Sequence, residues 1–182
     1  MRVSRPLPSV DLIRARLSYD RESGQLIWLP CLQMSTTWNS RYAGKEAGCV
    51  TPLGYRVVAI GKTLFMAHRL AYAHFYGLDP ETGIDHADGD RLNNAIANLR
   101  PATKSQNAIN SRVRSDNKAG VRGVSWRRNR AKWRARIKVD GREIALGCFE
   151  KIADADAAYV AAARRYHGEF SRSVPENKRA QT

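Results

Sequence analysis

The side chains best suited to hydrolytic chemistry lie in residues 84–107, with the sequence IDHADGDRLNNAIANLRPATKSQN. Asp85 supplies a hard oxygen ligand for a divalent cation. The next residue, His86, belongs to the residue type that takes a proton from water near neutral pH. The acidic turn Asp88-Gly89-Asp90 follows, and its glycine supplies a permissive backbone. A cation ligand beside a base fits the hydrolysis of a phosphodiester bond.

The elements around this pair must bring separate side chains together. The pattern predicts a short strand over 99–102, and residues 103–106 (TKSQ) fit a capping box that starts a helix near Lys104. Asn107 then falls in the first turn of that helix. The order strand, loop, strand, helix is a ββα unit, which would return Asn107 to the side of Asp85.

The segments before this unit are predicted to form its support. Residues 55–65 favour a hairpin, and residues 66–76 favour a helix with His68 near its start. Residues 30–48 have no apolar period and are predicted to form an irregular loop. Within that loop Trp38 is a candidate DNA contact, although core packing or loop anchoring is favoured.

The stretch 84–107, together with residues 67–70 (AHRL) and Phe75, resembles the HNH nucleases, in the branch found in phage and intron homing endonucleases. The resemblance implies that Asp85 binds the metal and that His86 is the general base. It also implies that Asn98 braces the loop and that Asn107 is the second metal ligand. The implied cation is Mg²⁺, for which Mn²⁺ substitutes. The zinc-ligand Cys pairs of some HNH proteins are absent from the sequence, so no structural zinc is expected.

Several residues of this region have alternative roles. The acidic turn resembles a calcium loop, but an EF-hand needs Glu at its twelfth position, and counting from Asp85 or Asp88 gives none. His68 either touches the scissile phosphate or supports the fold. Arg69 either contacts phosphate or pairs with an acid. The remaining asparagines are predicted to be turn, cap or exposed residues: Asn93, Asn94 and Asn110.

Charge and cysteine content indicate the partner and the compartment. The net charge of +14 in 182 residues favours a polyanionic partner, nucleic acid or an acidic membrane surface. The three cysteines (Cys31, Cys49 and Cys148) form no C-x-x-C pair, which favours a reducing compartment over a disulfide framework or zinc knuckle. Neither a secretory signal nor an apolar run of about 18 residues is evident. We therefore expect a cytoplasmic protein with no membrane partner, and the resemblance to phage and intron nucleases implies the bacterial host of a phage or mobile element.

The C-terminal part carries most of the positive charge. Residues 1–117 hold 15 Lys and Arg against 10 Asp and Glu, net +5, whereas residues 118–182 hold 16 against 7, net +9. Residues 111–119 are polar and basic and are predicted to form a linker that lies along DNA. Residues 173–182 are predicted to form a disordered tail.

Residues 120–149 are predicted to form three strands, over 121–126, 133–139 and 142–149, with a two-residue turn at Asp140-Gly141. In the second strand apolar and basic residues alternate, which is typical of a half-buried strand with a cationic outer face. A helix follows, with apolar residues at steps of three and four that would cover the apolar face. The candidate DNA contacts on this small sheet are Arg122, Arg127, Arg134, Arg136 and Lys138.

Residues 118–172 resemble the AP2 DNA-binding domain, in which a three-stranded sheet lies in the DNA major groove. The resemblance is carried by these segments: 120–124 (GVRGV), 132–135 (KWRA), 146–149 (LGCF), 157–159 (AAY) and Gly168. It departs from the family at Lys151, where a Thr cap is common, and at Ser125 and Arg136, which differ from the base-contacting side chains of plant members. The target sequence therefore does not carry over.

Together these patterns predict an α+β protein. A ββα-metal (HNH, His-Me finger) nuclease domain with its lead-in would span residues 1–110, and a three-stranded AP2-like domain residues 120–172. The predicted function is a metal-dependent DNA endonuclease acting on double-stranded DNA as a monomer or homodimer. Two alternatives are a non-catalytic DNA-binding protein on an HNH scaffold and, less favoured, a basic RNA-binding module, because the strands lack an aromatic RNA platform.

Overall fold

The computed structural model describes residues 5–111, 113 and 116–171. The chain divides into two compact units, the first ending at Lys104 and the second beginning at Ser105. Both units mix helices with antiparallel strands, as the α+β prediction requires. The domain bounds 1–110 and 120–172 stay a prediction. Three residues of the predicted linker (112, 114 and 115) and the predicted tail lie outside the described residues.

The first unit is built from short elements in three small antiparallel sheets. In chain order its elements are α1 (Val10–Arg16), β1 (Leu17–Tyr19), β2 (Leu26–Trp28), α2 (Thr36–Tyr42), β3 (Cys49–Val50), β4 (Arg56–Ile60), β5 (Thr63–Met66), α3 (Ala67–Tyr76), β6 (Gly83–His86) and β7 (Leu99–Ala102). The pairs are β1 with β2, β4 with both β3 and β5, and β6 with β7. The predicted hairpin over 55–65 and the helix after it are confirmed.

The core of the first unit lies between α1, α3 and the β4–β5 hairpin. Ser9 caps α1 by accepting a hydrogen bond from the Leu12 amide at 3.3 Å. The helix then buries Ile13 and delivers Leu17 to the same core, against Leu70 of α3. This packing fixes α3, which carries His68 and supports the strands that hold Asp85 and His86.

The prediction of an irregular loop over 30–48 is wrong, because this segment contains α2. Ser35 caps α2 by accepting from the amide of Trp38 at 3.1 Å. No residue of α2 is fully buried, so the helix has no continuous apolar stripe to reveal it in the sequence. The ring of Trp38 packs edge-on against Trp28, with 5.4 Å between ring centroids, which confirms the predicted core packing.

The second unit is a three-stranded antiparallel sheet covered on one face by a helix. Its elements are β8 (Val124–Arg127), β9 (Lys132–Val139), β10 (Arg142–Phe149) and α5 (Ile152–His167), preceded by α4 (Lys104–Asn110), which begins at the unit boundary. The strand order is β10-β9-β8, and α5 packs on the face that holds Ala135 and Ile137. The turn Asp140-Gly141 has positive φ at both residues (47° and 83°), as a tight hairpin requires.

The first strand of this sheet begins at Val124, three residues later than predicted. Gly123 has φ of 70°, and a Cβ at this position would lie 2.3 Å from the Tyr159 ring of α5. The chain thus turns closely around α5 before it becomes extended. Across the described residues, no helix is long and apolar enough to cross a membrane.

Candidate active site

Asp85 and His86 lie side by side at the end of β6. Antiparallel pairing places Asp85 opposite Arg100 and His86 opposite Leu99 of β7. Ile84 and Leu99 pack on α3, so the hairpin is anchored by apolar contacts on either side of the polar pair. Asp85 is only 7% exposed and His86 only 5%. Two adjacent ionisable side chains are therefore held inside a small protein unit, which is costly unless each is hydrogen-bonded.

Arg100 satisfies part of that requirement for Asp85. Its Nε and Nη2 atoms donate to Oδ2 of Asp85 at 3.0 and 2.8 Å. Both side chains are largely buried, so the fork of the guanidinium orients the carboxylate. No role was predicted for Arg100 from the sequence. Its place opposite Asp85 follows from the register of β6 and β7, which puts directly paired residues on one face.

Asn94 orients the ring of His86, as Arg100 orients the carboxylate of Asp85. The Nε2–H of His86 donates to Oδ1 of Asn94 at 3.1 Å. Because an amide oxygen only accepts, the proton of the neutral ring is on Nε2 and its lone pair is on Nδ1, the nitrogen suited to accept a proton. Asn94 is 2% exposed, and its backbone carbonyl accepts from the Tyr19 hydroxyl at 2.8 Å. The prediction of a simple turn or cap residue missed this orienting role.

Asn98 braces the loop between β6 and β7, in the role implied by the family resemblance. Its Oδ1 accepts from the amide of Asp88 at 2.9 Å. Its Nδ2 donates to Oδ1 of Asp88 at 2.9 Å and to the carbonyl of Asn93 at 2.8 Å. Although burial opposes it, the bonds from the Asp90 amide, Asn93 and Asn98 lower the pKa of Asp88 below its ordinary value. The acidic turn is therefore held in place by its bonds to Asn93 and Asn98, and it keeps a charged carboxylate close to His86.

The ring of His68 packs against the ring of His86. Their rings meet edge to face with 5.1 Å between centroids, and the Tyr55 ring lies 5.7 Å from His68 and 6.3 Å from His86. Burial, followed by the charges of His86 and Arg69, lowers the pKa of His68 from 6.5 to about 3. This placement favours a supporting role for His68 over contact with the scissile phosphate.

Protonation of His68 should make the fold sensitive to acid. The pKa of this side chain is 6.5 in the unfolded chain and about 3 in the folded chain, so between these pH values only the unfolded chain is protonated there. The free energy of unfolding therefore falls as pH drops through this window. We expect His68→Phe to lose less thermal stability than the wild type between pH 7 and pH 4.5, measured by circular dichroism. His167→Gln in the second unit should keep most of the wild-type pH dependence. An unchanged pH dependence in His68→Phe would contradict this assignment.

The other predicted residues of this region have mixed outcomes. Arg69 pairs with Asp79, Nη2 to Oδ1 at 2.6 Å, which confirms the predicted pairing with an acid; contact with phosphate stays a prediction. Asn107 lies in α4, in the part of the chain assigned to the second unit, and its role beside Asp85 stays a prediction. Asn110 is buried, so the prediction that it is exposed is wrong.

The second unit carries a cationic face, defined here as the basic side chains on the sheet face opposite α5. Pairing of Ser125 with Arg134, and of Arg127 with Lys132, places the basic residues of β8 and β9 on one side. The members of the cationic face are Arg127, Lys132, Arg134, Arg136 and Lys138. Lys132 was not among the predicted contacts.

Arg122 does not belong to the cationic face, contrary to the sequence-based grouping. Its guanidinium donates to the carbonyls of Ala108 (3.0 Å) and Ser111, and it bonds the Tyr159 side chain of α5. The turn at Gly123 separates Arg122 from the regular alternation of β8. Its position therefore ties the C-terminal end of α4 to α5, and its predicted DNA contact stays a prediction.

Within the described residues, no group of three or more His, Cys, Asp or Glu side chains lies close enough together to hold a metal ion. The free cysteines are Cys31, Cys49 and Cys148.

Comparison with known proteins identifies the family. The sequence model of a family described as HNH endonuclease matches residues 65–109, the segment that includes α3, β6, β7 and most of α4. Protein 3.8 of Escherichia phage T7 is 33% identical over 89 residues, which make up 49% of this chain and 73% of that protein. A solved structure titled "DNA binding and cleavage by the HNH homing endonuclease I-HmuI" is 23% identical, covers 71% of each chain and has a TM-score of 0.38. The chain therefore belongs to the same family as protein 3.8 of phage T7, and it carries an HNH endonuclease domain in residues 65–109.

Proposed function

We propose that the protein is a metal-dependent DNA endonuclease, and that Asp85 and His86 form the active site that hydrolyses phosphodiester bonds. One observation carries this proposal: β6 presents a carboxylate and an imidazole as neighbours, each oriented by a separate buried or half-buried side chain. A stability role alone does not account for two adjacent ionisable side chains in a site 5–7% exposed.

In this proposal His86 acts as the general base. Its Nε2–H stays bonded to Asn94 while Nδ1 accepts the proton of the attacking water. The same bond persists when the ring becomes an imidazolium, because an amide oxygen also accepts from the charged ring. Asn98 and the acidic turn hold the loop so that the imidazole does not move during proton transfer.

Asp85 and Asn107 are the proposed ligands of one divalent cation, Mg²⁺ with Mn²⁺ as a substitute. The donor chemistry fits, because Mg²⁺ is commonly held by one or two protein oxygens, with waters and substrate phosphates completing its shell. The bound cation would supply stabilisation of the negative charge that develops on the phosphate. Arg100 fixes the direction of the Asp85 carboxylate.

The cationic face is the proposed site that holds the DNA duplex. Five basic side chains on a sheet of three strands give the charge density that phosphate binding needs. The proposed likeness of this unit to the AP2 domain agrees with its three-stranded sheet covered on one face by α5. By that likeness the sheet would enter the major groove, which is wide enough for β-structure.

The test is cleavage of supercoiled plasmid by the full chain with Mg²⁺, with Mn²⁺ or with EDTA. We expect nicked or linear DNA with either cation and none with EDTA. Because the preferred site is unknown, the substrates should include diverse plasmids and genomic DNA. Binding without cleavage under all cation conditions would instead favour the non-catalytic DNA-binding protein, and preferential binding of RNA would favour an RNA-binding module.

A further inference from the structure

The cationic face is interrupted by a carboxylate. Strand register places Glu143 of β10 directly opposite Lys138, so both side chains are on this face. Oε2 of Glu143 accepts from Nη1 of Arg136 at 2.6 Å, and its Oε1 lies 3.7 Å from Nη2 of Arg134. The side chains of Glu143 and Arg136 are 51% and 43% exposed. The acid thus lies at the surface, among the basic side chains proposed to meet DNA.

A contribution to folding stability does not explain well why Glu143 lies on this face. Half-exposed ion pairs contribute little to folding because water and salt screen them. A guanidinium binds carboxylate and phosphate through the same fork of N–H donors. Glu143 therefore occupies an N–H donor of Arg136 that a DNA phosphate would otherwise bind. It also lies close enough to Arg134 to compete for its donors.

We propose that Glu143 is a specificity-determining residue, which competes within the chain against DNA phosphates for Arg134 and Arg136. This inference rests on the proposed DNA-binding role of the cationic face. Phosphate contacts carry no sequence information, so weakening them lowers affinity for every DNA sequence. A base edge that presents an amino group can donate to the carboxylate, whereas phosphate oxygens only repel it. Glu143 therefore favours sequence-dependent binding over general binding.

The experiment compares Glu143→Gln with Glu150→Gln in the full chain. Glu150 is a matched control, because it pairs loosely with Lys132 of the same face at 3.8 Å and its substitution changes the net charge equally. Binding to a duplex of about 30 base pairs of arbitrary sequence is followed by fluorescence anisotropy over a range of KCl concentrations. EDTA is present throughout so that the DNA stays intact.

For Glu143→Gln we expect about tenfold tighter binding at 50 mM salt and a salt slope steeper by about 0.9, the value of one added phosphate contact. Glu150→Gln should bind within about twofold of the wild type, with its slope. Glu143→Asp, which keeps the charge, should retain the wild-type slope. Selection from a randomised duplex pool should give a narrower consensus for the wild type than for Glu143→Gln.

The possible failures are distinguishable. If the wild type binds duplex with a clear salt dependence, but Glu143→Gln and Glu150→Gln behave alike, the inference is overturned and the proposed function stands. If the wild type does not bind duplex at any salt concentration, the proposed DNA-binding face fails, and the inference fails with it.

Discussion

His86→Ala is expected to abolish plasmid cleavage while DNA binding stays intact. Loss of a positioned general base typically costs about 10²- to 10⁴-fold in rate. The substitution also removes the bond that orients the ring on Asn94. Cleavage is measured by conversion of supercoiled to nicked plasmid with Mg²⁺, and binding is measured separately in EDTA.

A matched control for this substitution is His167→Ala, which removes an imidazole from the second unit. It should cleave at a rate close to that of the wild type. Circular dichroism should show that both variants fold. Cleavage by His86→Ala at the wild-type rate would remove His86 from the proposed mechanism, and equal loss in both variants would point to a general effect on the protein.

Asn98→Ala is expected to lower the free energy of unfolding by about 2 to 4 kcal/mol. The amide makes three hydrogen bonds in the loop, and each bond contributes about 0.5–1.5 kcal/mol. The truncation also leaves the amide of Asp88 and the carbonyl of Asn93 without this partner. Because the same loop carries the residue that orients His86, cleavage should fall together with stability.

Asn93→Ala is the matched control for the loop. Asn93 also bonds the Asp88 carboxylate, Nδ2 to Oδ2 at 2.8 Å, but this bond is exposed. Its loss should cost less than about 1 kcal/mol. The measurement is urea unfolding followed by tryptophan fluorescence. Equal destabilisation by the two substitutions would contradict the bracing role of Asn98.

Local patterns predicted much of the chain. The hairpin of β4 and β5, the strand β7, the start of α4 and the three strands of the second unit follow from alternation, turns and capping residues that act over a few positions. Asp85, His86 and Asn98 were also singled out by type and spacing, and the structure places them in β6 and the loop that follows it; their catalytic roles stay a prediction. These strands, turns and helix starts depend on residues only a few positions apart, so they can be predicted from the sequence alone.

Long-range contacts account for what the sequence did not reveal. Asn94 is buried, and its carbonyl accepts from Tyr19, which lies 75 positions earlier in the chain. The pairing of Arg100 with Asp85 depends on the register of two strands. Arg122 leaves the cationic face because Gly123 turns around Tyr159. In each case a side chain that looks like a surface residue acquires its role from a partner that periodicity does not specify.

The β1–β2 hairpin supports the loop between β6 and β7 through its turn. The amide of Ile96 donates to the carbonyl of Arg21 at 2.9 Å. A Cβ on Gly24 would lie 2.3 Å from the backbone of Asn94 and Ala95, so the two loops touch closely through their main chains. Tyr19 adds its hydroxyl bond to Asn94.

The segment that matches the HNH family, residues 65–109, is therefore not a transplantable module in this protein. Excised alone, it would lack the hairpin that contacts its loop between β6 and β7. A fragment that keeps these contacts must begin at or before Leu17, where β1 starts. A chimera joined at residue 65 would keep Asp85 and His86 without the β1–β2 turn that contacts the loop after them.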